Sequence, residues 1–174
     1  MRCLLDKVTA RRTVEGLLKL AEDRDLNEAE LFALDLFQRA RISDSTLFIV
    51  PPTARVLRRI EELPRYGAVI RLFRARAEVL WPARYFTRWA RRLREFDFTP
   101  EDAAVLALAT FGTDEGGTLL GTHSVATLDQ PMIQNWATRQ ADILERLTAM
   151  QQDIPSPYHE AALPEVKRPE FITL

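Results

Sequence analysis

The chain has 174 residues, of which 47% are hydrophobic and 28% charged, and its formal net charge is -1. This length suits one domain with a sizeable core, and the composition excludes a disordered or collagen-like chain. A single cysteine, Cys3, excludes an internal disulfide and a thiolate metal site. Acidic and basic side chains directly follow a short apolar start, so neither a signal peptide nor a membrane span is predicted there. A cytoplasmic protein is therefore expected.

The first quarter of the chain alternates apolar strands with helices. Residues 1–5 are an apolar run that ends at Asp6, as a buried parallel strand ends before its loop. Apolar residues recur at helical spacing from Thr9, and Asn27 caps a second helix. Residues 46–50 are β-branched and aromatic, which predicts the second strand.

The middle of the chain continues this alternation. Pro51–Pro52 can open a helix at its first turn, residues 66–73 favour another helix, and residues 77–81 favour a third strand. Pro82 then begins an arginine-rich helix, in which the apolar residues share one face and the arginines occupy the rest.

The second half opens on a strong helix start at Thr99, which is followed by a proline and two acids. Residues 112–117 predict a turn, residues 118–120 a very short fourth strand, and residues 121–124 the loop after it. A final helix is expected over residues 131–152.

Prolines interrupt the remainder, so residues 151–174 are expected to form a proline-rich C-terminal tail, mobile or draped over a domain of residues 1–150. Strands that alternate with helices predict a three-layer α/β/α fold with a central parallel sheet. Such sheets bind ligands at the carboxyl ends of their strands. Asp6 and the loop at 121–124 are both expected at that edge.

The charges are segregated along the chain. Residues 55–94, here called the arginine block, carry twelve cations, all arginines, against three acids, whereas residues 95–174 carry four cations against thirteen acids. Arginine pairs bidentately with phosphate and equally with carboxylates. The block is therefore either neutralised internally by the acidic last part of the chain or free to form a nucleic-acid or partner surface. The candidate binding residues are Arg55, Arg58, Arg88, Arg91 and Arg92.

Three segments, taken in order, resemble the most recognisable pieces of a PIN domain. They are MRCLLD at residues 1–6, TPEDAAVLALA at 99–109 and TLLGTHS at 118–124. The family consists largely of metal-dependent ribonucleases and includes many toxins of bacterial toxin–antitoxin pairs. The resemblance covers about residues 1–150 and implies an acidic site that holds Mg²⁺ or Mn²⁺ and activates water to attack a phosphodiester.

Carried over residue by residue, the resemblance retains two of four acids. Asp6 matches the acid that closes the first strand, and Asp102 matches the acid that begins a later helix. The acid on the helix after strand two falls near Arg55, and the acid after strand four falls at His123. Mg²⁺ requires several hard oxygen ligands, and Arg55 opposes a metal and can pair with Asp6 in its place. The resemblance therefore implies a degenerate site that binds Mg²⁺ or Mn²⁺ weakly or not at all.

Two of these residues have an alternative structural role. Asp102 can be a helix-start acid in a favourable dipole. His123 can be a softer metal ligand, a general base, or a loop histidine that is hydrogen-bonded to Asp6 or Asp102.

Three functions are consistent with these residues. The first is a PIN-like domain that has lost its complete metal site and binds nucleic acid, in particular RNA, or a protein partner. The second is an active Mg²⁺- or Mn²⁺-dependent ribonuclease that recruits a further acid, Asp44 or Asp129. The third is a structural homodimer or complex subunit that uses the arginine-rich helix with Tyr85, Phe86 and Trp89 as its interface.

Overall fold

Five parallel strands form the central sheet of the computed structural model, which describes residues 1–174. Two further short strands pair with each other outside this sheet. The central strands are short and consist mainly of buried residues, as is typical of a parallel sheet that is covered on both faces. In chain order the strands are β1 (Arg2–Leu5), β2 (Thr46–Ile49), β3 (Ala77–Val79), β4 (Trp81–Pro82), β5 (Gly112–Thr113), β6 (Ser124–Ala126) and β7 (Glu165–Lys167).

The order of strands in the central sheet is β3-β2-β1-β6-β7, and every neighbouring pair is parallel. The chain runs outward from β1 to β3 on one side and later returns to place β6 against the other side of β1. The strand order therefore reverses between β1 and β6. In open α/β sheets the carboxyl ends of the strands at such a reversal flank the crevice where ligands bind.

Seven α-helices surround the sheet, and several begin at signals visible in the sequence. Asn27 forms a capping box with Glu30, and Thr99 accepts a hydrogen bond from the backbone N–H of Asp102. None of the seven is both long enough and apolar enough to cross a membrane. The helices are α1 (Lys7–Ala21), α2 (Glu28–Ile42), α3 (Pro51–Glu61), α4 (Gly67–Arg74), α5 (Phe86–Leu93), α6 (Pro100–Phe111) and α7 (Gln130–Gln151).

Alternate strand residues face two separate cores. Leu4, Phe48 and Val125 pack with residues of α5, α6 and α7 on one face of the sheet. Leu5 and Ile49 pack with residues of α1 to α4 on the other face. This alternation follows from the two-residue period of a strand. The predicted three-layer α/β/α fold with a central parallel sheet is confirmed.

The fourth strand in the sheet differs from the one that the sequence predicts. Residues 118–120 form no strand, and the strand beside β1 is β6, which begins at Ser124. The glycine-rich segment before it folds back instead, because the backbone N–H of Gly121 donates to the carbonyl of Gly112 at 2.8 Å. The strand is difficult to recognise because Ser124 and Ala126 are small and only Val125 is typical of a strand.

The C-terminal segment, expected as a mobile or draped tail, contributes β7 to the sheet beside β6. Arg39 of α2 donates hydrogen bonds to the carbonyl oxygens of Pro169 at 2.8 Å and Ile172 at 2.5 Å. Val166 and Ile172 are buried, at 7% and 2% exposure. This segment therefore belongs to the fold, although a three-residue strand between prolines leaves little pattern in the sequence.

Candidate functional site

Asp6 directly follows β1 and lies at the crevice between the carboxyl ends of β1 and β6. Its backbone N–H donates to the carbonyl of Ala126 at 3.1 Å. One carboxylate oxygen accepts a hydrogen bond from the backbone N–H of Thr9 at 2.6 Å, which makes Asp6 the N-cap of α1. The other accepts a hydrogen bond from the hydroxyl of Thr127. With 8% of its surface exposed, Asp6 is a buried acid with both oxygens engaged.

The environment of Asp6 favours its neutral form. Burial raises the pKa of this carboxyl above its ordinary value, the hydrogen bonds from Thr127 and Thr9 offset part of that rise, and the nearby Asp129 carboxylate adds to it. No arginine contributes to the shift, and Arg55 is exposed on α3. The predicted pairing of Arg55 with Asp6 is therefore wrong, because Thr9 and Thr127 supply the hydrogen bonds that Asp6 accepts.

Thr127 links the two acids at the ends of β1 and β6. Its hydroxyl donates to Asp6 and accepts a hydrogen bond from the backbone N–H of Asp129 at 3.0 Å. Asp129 caps α7, because its carboxylate accepts the backbone N–H of Met132 at 3.0 Å. Asp129 therefore lies at the edge where the second sequence hypothesis required an acid. Thr127 itself was missed, since its importance depends on where β6 ends.

His123 lies at the opposite, amino edge of the sheet. It precedes β6, and its Nδ1 accepts a hydrogen bond from the backbone N–H of Arg2 at 3.0 Å. The prediction that His123 follows the fourth strand and approaches Asp6 or Asp102 is wrong, because the strand begins only at Ser124. The pKa of His123 is lowered, mainly because the side chain is partly buried and secondly because the positive charge of Arg2 is near, and the neutral imidazole is favoured.

Asp102 lies in the first turn of α6, next to the N-cap residue Thr99. Its carboxylate accepts a hydrogen bond from the Thr99 hydroxyl at 2.7 Å. The neighbouring Glu101 reaches the crevice, where its carboxylate binds the ammonium of Lys7 at 2.6 Å. Because Lys7 follows Asp6 in the chain, this ion pair joins the start of α6 to the start of α1. Both side chains are more than 60% exposed, so the pair contributes at most about 1 kcal/mol to stability.

The acids at this edge do not fit the divalent metal that the resemblance implies. Mg²⁺ and Mn²⁺ prefer several oxygen ligands around one ion. No three His, Cys, Asp or Glu side chains come together as a possible metal-binding group. Both oxygens of Asp6 already accept hydrogen bonds, and the carboxylate of Glu101 is already paired with Lys7. Asp44 lies in the turn before β2, at the other edge of the sheet.

No protein-family model matches the sequence, and no curated protein matches it. The largest group of charged side chains without a structural role is the arginine block.

Nine of the twelve arginines in the arginine block are exposed and have no carboxylate partner. The acidic last part of the chain neutralises only one of the twelve, Arg92, whose guanidinium binds Glu95 at 2.8 Å. Internal neutralisation, one of the two possibilities left by the sequence, therefore accounts for few of these charges. Arg92 is therefore not free to bind an external partner as predicted. The free arginines are Arg55, Arg58, Arg59, Arg71, Arg76, Arg84, Arg88, Arg91 and Arg94.

The aromatic side chains of the arginine-rich helix face the core. Trp89 is fully buried and donates its indole N–H to the hydroxyl of Thr110 at 3.3 Å. Tyr85 and Phe86 pack against the same core cluster. The predicted use of Trp89 in an interface is therefore wrong, because its ring packs between α5 and α6, whereas Tyr85 and Phe86 are only partly buried. The outer face of α5 carries its free arginines.

Proposed function

We propose that the protein binds single-stranded RNA through the arginine block and does not cleave it. The observation that carries this proposal is the set of nine exposed arginines without carboxylate partners. Guanidinium groups bind phosphate bidentately, and contacts with phosphate supply most of the sequence-independent affinity for nucleic acid.

The charge distribution supports an external anionic partner. The arginine block carries a net charge of +9 while the whole chain carries -1, so its charge is not a consequence of an overall basic composition. Its free arginines form two groups, one on or beside α3 and α4 on one face of the sheet and one on or beside α5 on the other, and the like charges within each group repel one another. The acids of the folded chain do not neutralise these arginines, whereas a bound polyphosphate would reduce the repulsion between them.

A PIN-like scaffold is part of the proposal. The α/β/α fold and Asp6 at the end of β1 support it, and Asp129 after β6 supplies an acid at the fourth family position in place of His123. The helix after β2 carries Arg55 where the family has an acid, which supports a scaffold that retains RNA binding without the metal chemistry.

Two triple variants with the same change in charge test the role of the arginine block. One replaces the free residues Arg58, Arg88 and Arg91 with glutamine. The control with the same charge change replaces three arginines outside the block with glutamine, namely the exposed Arg41 and the ion-paired Arg139 and Arg146. Fluorescence anisotropy with a labelled single-stranded RNA should show a loss of about tenfold or more in affinity for the first variant. The control should stay close to the wild type.

Equal losses in both variants would mean that overall charge, and not this block, decides binding. Absence of RNA binding by the wild-type protein at low salt would overturn the proposed function itself.

A cleavage assay separates binding from the active-ribonuclease alternative. We expect single-stranded RNA to remain intact when incubated with the protein and either Mg²⁺ or Mn²⁺, since the acids do not form a group of three. Cleavage that disappears in Asp6→Asn, purified in the same way, would contradict the proposal. Cleavage that persists in Asp6→Asn would be assigned to a contaminating nuclease and would leave the binding result to decide.

A further inference from the structure

A cleft beside the edge strand β3 combines an exposed aromatic ring with a free cation. Its volume is about 270 Å³, and its lining includes apolar side chains from β2, α3 and β3. Trp81 and Arg58 both line it. Pockets for drug-sized ligands have volumes of about 300 to 1,000 Å³, so this cleft suits a single flat group at the end of a larger ligand.

Trp81 is the one exposed tryptophan of three. It has 40% of its surface exposed, whereas Trp89 is fully buried and Trp136 has 3% exposed. Its backbone pairs with Thr113 in the β4–β5 ladder, so the ring is carried by a paired strand. A large aromatic side chain that stays exposed in a cleft offers contact area at little conformational cost.

The charged side chains of the cleft have different roles. Arg74 is paired with Glu61, whereas Arg58 has no carboxylate partner and is free to bind phosphate. Two carboxylates, Glu78 and Glu115, also line the cleft. Carboxylates repel phosphate but accept hydrogen bonds from the amino groups of bases. A nucleotide would therefore place its phosphate at Arg58 and its base against Trp81.

We propose that this cleft binds one base of a single-stranded RNA, with Trp81 as the stacking surface and Arg58 as the cation that binds the adjacent phosphate. The inference rests on the proposed RNA binding and names the site that recognises the base. Stacking on an aromatic ring requires an unpaired base, since the bases of a duplex already stack on each other. The protein is therefore selective for single strands over duplexes.

Tryptophan fluorescence tests this site directly, because Trp81 is the exposed indole. The wild-type protein is titrated with oligocytidylate and with an abasic ribose-phosphate oligomer of the same length, while anisotropy of a labelled strand reports binding independently. We expect oligocytidylate to quench the emission and the abasic oligomer to leave it unchanged. Trp81→Phe should bind with nearly wild-type affinity but without the quenching.

Trp81→Ala should lose about fivefold to a hundredfold in affinity, as expected for one stacked base. Its thermal unfolding is compared with that of Trp81→Phe to show that both variants fold. Wild-type affinity in Trp81→Ala, or equal binding of the abasic oligomer and oligocytidylate, would overturn the site. RNA binding with unchanged Trp81 emission would overturn the cleft alone, whereas no RNA binding in either measurement would overturn the proposed function as well.

Discussion

Asp6 stabilises the start of α1 and the junction between β1 and β6 through the same carboxylate. The backbone N–H of Thr9 and the hydroxyl of Thr127 each donate to one of its oxygens. An acid with both oxygens engaged is costly to remove, because each donor is then left without a partner in a buried site. The residue expected from the sequence to bind a metal is, in the structure, a partnered helix cap.

Replacing Asp6 with alanine should lower the free energy of unfolding by about 1 to 3 kcal/mol, since the cap and the Thr127 hydrogen bond are both lost. Asp6→Asn is the matched control and should stay within about 1 kcal/mol of the wild type, because asparagine caps helices as well as aspartate does. Urea denaturation measures both. Equal stability of Asp6→Ala and the wild type would refute the capping role.

The pH dependence of stability should carry a contribution from Asp6. Its folded pKa lies above its unfolded value because burial raises it, so the folded protein holds this proton more tightly. The contribution is present below the unfolded pKa, about 3.9, and is lost as pH rises through the folded pKa. The stability of the wild type relative to Asp6→Asn should therefore fall as pH rises from about 4 and then level off. A rise over the same range in urea denaturation would contradict the raised pKa.

The position of a single residue was predictable from the sequence where it follows a clearly marked strand. Asp6 follows an unmistakable apolar strand, and its place at the carboxyl edge is confirmed. Thr127 and Trp81 were missed, because the first depends on the end of a weakly marked strand and the second on how much of one ring remains exposed.

Among the elements, β6 changes the interpretation most. The shift from residues 118–120 to Ser124–Ala126 moves His123 from one edge of the sheet to the other. A sequence resemblance fixes the order of motifs, whereas the edge on which a loop residue lies depends on the strand boundary.

Replacement of His123 with alanine should leave RNA affinity within about twofold, because the side chain lies at the amino edge and binds the backbone of Arg2. Anisotropy with the same labelled RNA measures this, and the Arg58, Arg88 and Arg91 triple variant provides the positive comparison. A loss in His123→Ala as large as in that triple variant would place RNA at the amino edge instead.

The C-terminal segment gives a test at one buried and one exposed residue. Val166→Ala in β7 should destabilise the protein by about 2 kcal/mol, because Val166 is buried in the core on the face of the sheet that α7 covers. Phe171→Ala should change stability by less than about 0.5 kcal/mol, because 65% of Phe171 is exposed. If residues 165–171 were a mobile tail, both substitutions would be neutral in urea denaturation.

For the whole molecule, the fold class was predictable because it depends on the alternation of apolar strands and amphipathic helices along the chain. Which arginines pair with carboxylates could not be predicted from the sequence. Whether twelve arginines meet thirteen distant acids depends on how the helices are placed, and in the folded chain only the Arg92 and Glu95 pair joins the two groups.

The salt dependence of RNA binding tests the central claim, that the free arginines of the arginine block bind phosphate. The logarithm of the association constant is measured against the logarithm of salt concentration, where each phosphate contact with a single strand contributes a slope of about -0.7. Glutamine at Arg58, Arg88 and Arg91 should reduce the slope by about 2 in magnitude. The control variant at Arg41, Arg139 and Arg146 should retain the wild-type slope. Identical slopes for the wild type and the arginine-block variant would contradict the account.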